Sequence, residues 1–98
     1  MFTQNSNGGV LRVIVQEGGE LVPLTGAAIN ITIVANGDGA RTEMPVTSID
    51  PVTSTCDIVL TSAILTAPGK YAYQLELNFP DGQRDYTTID FFTVKAKL

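Results

Sequence analysis

LTAPGKYAYQLELNFPDG, residues Leu65 to Gly82, carries the strictest order in the chain. Within it Tyr71, Tyr73, Leu75, Leu77 and Phe79 share one parity, while Ala72, Gln74, Glu76 and Asn78 share the other. Successive side chains of a strand point to opposite faces, so this alternation predicts a strand with an apolar face on a core and a polar face in water. Upstream, TSAILTAPG could begin a helical turn at Ser62, but Pro68 and Gly69 end it within about two turns. Downstream, Pro80, Asp81 and Gly82 predict a hairpin turn, with the Asp81 side chain capping nearby backbone N–H groups.

Moving outward, RDYTTIDFFTV (84–94) continues that hairpin, and its apolar parity changes between Ile89/Phe91 and Phe92/Val94. A change of face inside one strand is what a β-bulge or bend produces. AINITIVA (28–35) alternates with period 2, and NGDG (36–39) predicts a tight hairpin into TEMPVTSI (42–49). Pro45 has no N–H for a ladder, which marks that strand as an edge or a bulge. CDIVL (56–60) is a short strand after the turn DPVTST (50–55). GVLRVIVQ (9–16) is apolar on both parities, as in a strand buried on both faces or one covered by a neighbour, and Glu17-Gly18-Gly19 punctuates it. About seven strands at spacings of roughly 8 to 12 residues, with no long helix, predict an all-β antiparallel sandwich.

Ninety-eight residues suffice for one domain, here 10–98, preceded by a flexible polar arm, MFTQNSNGG (1–9). Hydrophobic residues make up 44% and charged residues 16%, which argues for a packed core and against disorder. The net charge of −4, with scattered Lys and Arg, disfavours nucleic acid and anionic membranes as partners. No apolar run reaches the ~20 residues that span a bilayer, and the N-terminus has no signal-peptide pattern. The expected origin is therefore the cytoplasm of the producing cell.

The chain has no histidine, which removes Ser-His-Asp and Cys-His arrangements and histidine metal sites. Cys56 shares parity with Ile58 and Leu60, so it reads as a buried core thiol. Asp38, Asp81 and Asp85 lack the spacing of a calcium loop and suit turn geometry instead. Gly37 and Gly39 are only a fragment of a phosphate loop, and Asn30-Ile31-Thr32 reads as a chance sequon on a strand. No catalytic residue, cofactor or metal is expected. Most aromatics lie on inward parities, whereas Tyr86 and Phe2 are free to stack on a sugar or a partner chain.

Pro68-Gly69-Lys70-Tyr71 has the form of the tyrosine corner of immunoglobulin-like sandwiches, in which the hydroxyl bonds backbone around the connecting loop. The order of motifs also resembles the immunoglobulin-like N-terminal domain of phage baseplate upper proteins, over roughly residues 10–94. The resemblance rests on Leu24-Thr25-Gly26, Pro68-Gly69-x-Tyr71, Phe79-Pro80-Asp81-Gly82 and Phe92-x-Val94. It implies a fold and a virion location, in tail or baseplate, with other phage structural proteins as partners. It supplies no chemical site. Head-fibre and capsid-decoration domains of similar fold, a carbohydrate-binding or adhesion module, and an enzyme accessory domain remain alternatives, and self-association is open.

The resulting expectation is a non-enzymatic structural or adaptor module that docks through strand edges and loops. The first strand offers Val10, Arg12 and Ile14 as the candidate docking surface, with Phe2 from the arm and the arm ordering on assembly.

Overall fold

The computed structural model describes residues 2–17, 19–35 and 39–96. Among them there is no helix, and eleven short strands form the protein. In chain order they are β1 (Phe2–Thr3), β2 (Gly9–Ile14), β3 (Gln16–Glu17), β4 (Glu20–Leu21), β5 (Ala28–Ala35), β6 (Arg41–Val46) and β7 (Ser48–Asp50). β8 (Thr55–Leu60), β9 (Gly69–Asn78), β10 (Arg84–Tyr86) and β11 (Asp90–Lys95) follow.

The alternating stretch becomes β9, the longest strand, and it sits inside the larger sheet. That sheet runs β1-β11-β9-β5-β6, with β10 beside β9 on the same side as β11. A smaller sheet runs β2-β8-β7, and β3 and β4 pair as a separate two-stranded ribbon. All pairings are antiparallel except β1 with β11, which is parallel. The fold is an all-β sandwich. Its smaller sheet has the strand order B-E-D of an immunoglobulin-like domain, and β11-β9-β5 supply G-F-C.

The inward parities form one core. Ile29, Ile31 and Ile33 of β5, Tyr71, Leu75 and Leu77 of β9, Cys56, Ile58 and Leu60 of β8, and Leu24 and Leu65 of the loops are all buried. Each of the strand residues sits where the period-2 pattern places an apolar side chain, so their burial follows directly from register. Cys56 has no exposed surface and no disulfide partner.

The bend expected within residues 84–94 is real and divides that segment into β10 and β11. At the break, the Thr87 N–H donates to the Leu75 carbonyl (3.0 Å) while the Leu75 N–H donates to the Thr87 hydroxyl (3.0 Å). The side chain thus takes over a ladder bond where the strand bulges. Beyond it Phe92 and Val94 are buried, whereas Ile89 and Phe91 are exposed. The Lys70 ammonium lies 4.3 Å from the centre of the Phe91 ring.

Three expectations are revised. The single strand read over 42–49 is two strands, because the chain passes from the larger sheet in β6 to the smaller in β7 between Val46 and Ser48. β2 is not covered on its outer face, since Val10 and Ile14 are exposed there.

The third revision concerns the arm of residues 1–9, which is stitched down from residue 2. Phe2 and Thr3 pair with Val94 and Lys95. The Gln4 N–H donates to the Lys95 carbonyl (2.8 Å), the Asn5 N–H to that of Leu65 (2.8 Å), and the Ser62 N–H to Asn7 Oδ1 (2.7 Å). The arm is polar in side chains yet held mainly by its backbone, with Asn7 adding a side-chain bond, which composition does not reveal. The NGDG turn lies mostly outside the described residues, with Gly39 at its end bonding back to Ala35 (2.8 Å).

Candidate docking edge

Of the residues singled out by sequence, the first group is structural. The Tyr71 hydroxyl donates to the Ala67 carbonyl (2.7 Å) and accepts from the Ala67 N–H (3.3 Å), closing a tyrosine corner around Pro68 and Gly69. Gly69 has φ +129°, outside the range L-residues prefer. At the other end of β9, the Gln83 N–H donates to Asp81 Oδ1 (2.9 Å) and the Gly82 N–H to the Phe79 carbonyl (3.0 Å). Pro80 of this hairpin packs on Gly26, where an added Cβ would stand 2.9 Å from Pro80 Cγ. Two motifs of the resemblance therefore touch, and a side chain at position 26 would part them.

Val10, Arg12 and Ile14 do come together, on the solvent face of β2. Val10 is 49% and Ile14 54% exposed, and Val59, cross-strand from Val10 on β8, is 56% exposed. Between the two apolar residues, Arg12 lies opposite Asp57 and binds it through two hydrogen bonds, Nε to Oδ1 (2.8 Å) and Nη2 to Oδ2 (3.1 Å). The hydrogen bond and charge of Arg12 hold the Asp57 carboxyl below its ordinary range, and Asp57 raises Arg12 in turn. Phe2 is not part of this surface. Its ring turns inward and meets Phe92 edge to face at 5.4 Å, because burying an aromatic on the core outweighs leaving it in water.

The backbone of β2 is as informative as its side chains. Among the described residues β2 pairs only with β8, so its other side is an open edge. The Val15 N–H donates to the Ser54 carbonyl (2.8 Å), and the register continues through Val13–Cys56 and Leu11–Ile58. In an antiparallel ladder alternate residues bond the same neighbour, so odd-numbered residues face β8. The N–H and C=O groups of Val10, Arg12 and Ile14 therefore project from the open edge. The three candidate residues present both their side chains and their unpaired backbone.

In an immunoglobulin-like sandwich a strand A lies beside B, the position next to β2. Here residues 2–3 pair with β11 instead, and only at its C-terminal end. Between β2 and the β10–β11 side the sandwich consequently has an open mouth of about 360 Å³. Val13, Val15, Val22, Tyr73 and Leu77 line its apolar part. Glu17, Asp85 and Asp90 also line it, and no Lys or Arg among the described residues does. None of these three carboxylates belongs to an ion pair among the described residues. Tyr73 reaches Asp90 Oδ2 at 3.4 Å, and burial, with the Asp90 charge second, pushes the Tyr73 phenol upward.

Sequence reasoning missed this mouth. Asp85 read as a turn residue, yet it pairs with Leu77 and so has the inner-face parity, as does Asp90 opposite Tyr73. The available signal was that parity, carried by charged residues on a strand beside the apolar face of β9.

A second concavity, about 340 Å³, lies on the outer face of the larger sheet. Tyr86 and Ile89 flank it, and Thr32, Gln74 and Glu76 contribute polar groups. Gln74 and Glu76 are engaged, the first donating to the Thr87 carbonyl (2.8 Å) and the second lying 3.4 Å from Arg84. Among the described residues no three His, Cys, Asp or Glu side chains are grouped to hold a metal. Burial raises the Cys56 thiol, the Asp57 charge adding to it, which suits a core residue rather than a nucleophile. No helix is long and apolar enough to cross a membrane among the described residues. No family model matches the chain, and no curated protein matches it in sequence.

Proposed function

We propose that this protein is a non-enzymatic docking module of a phage virion, in its tail or baseplate, made in the host cytoplasm and joining other virion proteins. The observation that carries the docking part is the open β2 edge, where Val10 and Ile14 are exposed beside an unpaired backbone. Exposed strand edges pair readily with other chains, and an apolar flank adds buried area to those backbone bonds. The virion part rests on the resemblance of the Leu24-Thr25-Gly26, Pro68-Gly69-x-Tyr71 and Pro80-Asp81-Gly82 motifs to baseplate upper proteins. The Gly26–Pro80 contact and the Tyr71 corner support it by giving those motifs structural roles.

The test is made on purified particles of the source phage. Mass spectrometry should find the chain at stoichiometric level, and cross-linking should join it to a neighbouring virion protein. Its absence from clean particles refutes the assignment. A carbohydrate-binding reading is favoured by the Tyr86 concavity alone, and a glycan array decides it. Clear micromolar binding that is lost in Tyr86→Ala would move the function to that face.

A further inference from the structure

The geometry points to the kind of chain that docks. We propose that an extended segment of a partner protein adds to β2 as a strand and closes the mouth of the sandwich, and that this segment alternates Lys or Arg with apolar residues. The inference rests on the docking reading above.

Its first support is the backbone. The N–H and C=O groups of Val10, Arg12 and Ile14 face outward along β2, at the position where an immunoglobulin-like sandwich carries strand A. An added strand would lie ~4.8 Å from β2 and find these groups already aligned. Because side chains alternate, one parity of the added strand must face the mouth and the other must flank Val10 and Ile14.

The second support is charge. The mouth-facing parity meets Val13, Tyr73 and Leu77 together with Glu17, Asp85 and Asp90. Lys and Arg fit this mixture, since their aliphatic stems cover apolar surface while their heads reach carboxylates. An acidic segment would be repelled by these carboxylates and by the net charge of −4. The opposite parity falls beside Val10, Ile14 and the Arg12–Asp57 pair, whose charges already satisfy each other, so apolar residues suit it.

The test uses the full chain and labelled peptides of about seven residues, one alternating Lys and Val and one alternating Glu and Val. Binding is read by fluorescence anisotropy, and the bound site by backbone amide NMR. The expected result is that the Lys-Val peptide binds, with shifts and new exchange protection at Val10, Arg12 and Ile14, while the Glu-Val peptide binds at least about tenfold more weakly. The double variant Asp85→Asn, Asp90→Asn should weaken the Lys-Val peptide about tenfold at low salt and less at high salt. A Lys-Val peptide N-methylated at the residues that bond the edge should lose binding, which tests strand addition without altering the protein. The inference is overturned by equal binding of both peptides, by indifference to N-methylation, or by shifts confined to other strands. It is equally overturned if the β2 amides become protected as the peptide-free protein is concentrated, because a second copy then occupies the edge. If the peptides fail while cross-links from virions still map to β2, the docking reading stands and only strand addition falls.

Discussion

Tyr71→Phe removes one oxygen from the most instructive contact in the fold. The ring stays, 2% exposed and stacked on Phe92 at 5.2 Å, so neither burial nor packing changes. What is lost is the hydroxyl that donates to the Ala67 carbonyl (2.7 Å) and accepts from its N–H (3.3 Å). A net hydrogen bond contributes about 1 kcal/mol, and leaving a partly buried backbone group unsatisfied costs about 1–3 kcal/mol. With two groups affected and some water able to reach them, the expected loss is about 2 kcal/mol. For a domain of this size that lowers Tm by roughly 8–16 °C. Urea unfolding should show an earlier midpoint with an unchanged slope, since the surface exposed on unfolding is the same. Tyr73→Phe is the matched control, because its hydroxyl has only a long contact to Asp90 (3.4 Å), and it should cost less than about 0.5 kcal/mol. If Tyr71→Phe falls within about 0.5 kcal/mol of the parent, the corner does not hold the β8–β9 connection and the reasoning fails.

Phe2→Ala should destabilise the protein by about 1–2 kcal/mol in the same urea assay, from lost apolar burial and the edge-to-face pair with Phe92. A neutral result would mean that the N-terminal residues are not docked in solution. Cys56, fully buried and with its thiol pushed up, should not react with a disulfide reagent until urea unfolds the protein, whereas prompt labelling would contradict its core position. Asp57 is held below its ordinary range by Arg12, so its contribution is present above the unfolded value of about 3.9 and is lost as pH falls through the lower folded value. The stability gap between the parent and Arg12→Gln should therefore be present at about pH 6 and shrink below about pH 4. A gap independent of pH would show that Arg12 acts through packing instead.

Much of the fold was legible because it depends on period 2. Tyr71, Leu75, Leu77, Ile29, Ile31, Ile33, Cys56, Ile58 and Leu60 are buried where alternation places them. The Tyr71 corner and the Asp81 turn were legible for a related reason, since both are contacts within a few residues of chain. Half of the candidate site was legible too, as an excess of apolar residues on β2. The phase of its ladder was not, because hydrogen bonds to Ser54 and Cys56 involve residues about 40 positions away.

Local chemistry by itself therefore determined the longer strands, their inward faces and the Asp81 turn. Tertiary structure alone decided that Phe2 caps the core, that β6 and β7 belong to different sheets, and that Asp85 and Asp90 stand at an open mouth beside β2. Alternation states which side of a strand is apolar. It cannot state which neighbour covers that strand, because pairing is settled by the closure of long loops and by competition among all the strands for one core. The docking edge is a product of that competition: β2 is left without a second neighbour when residues 2–3 pair with β11.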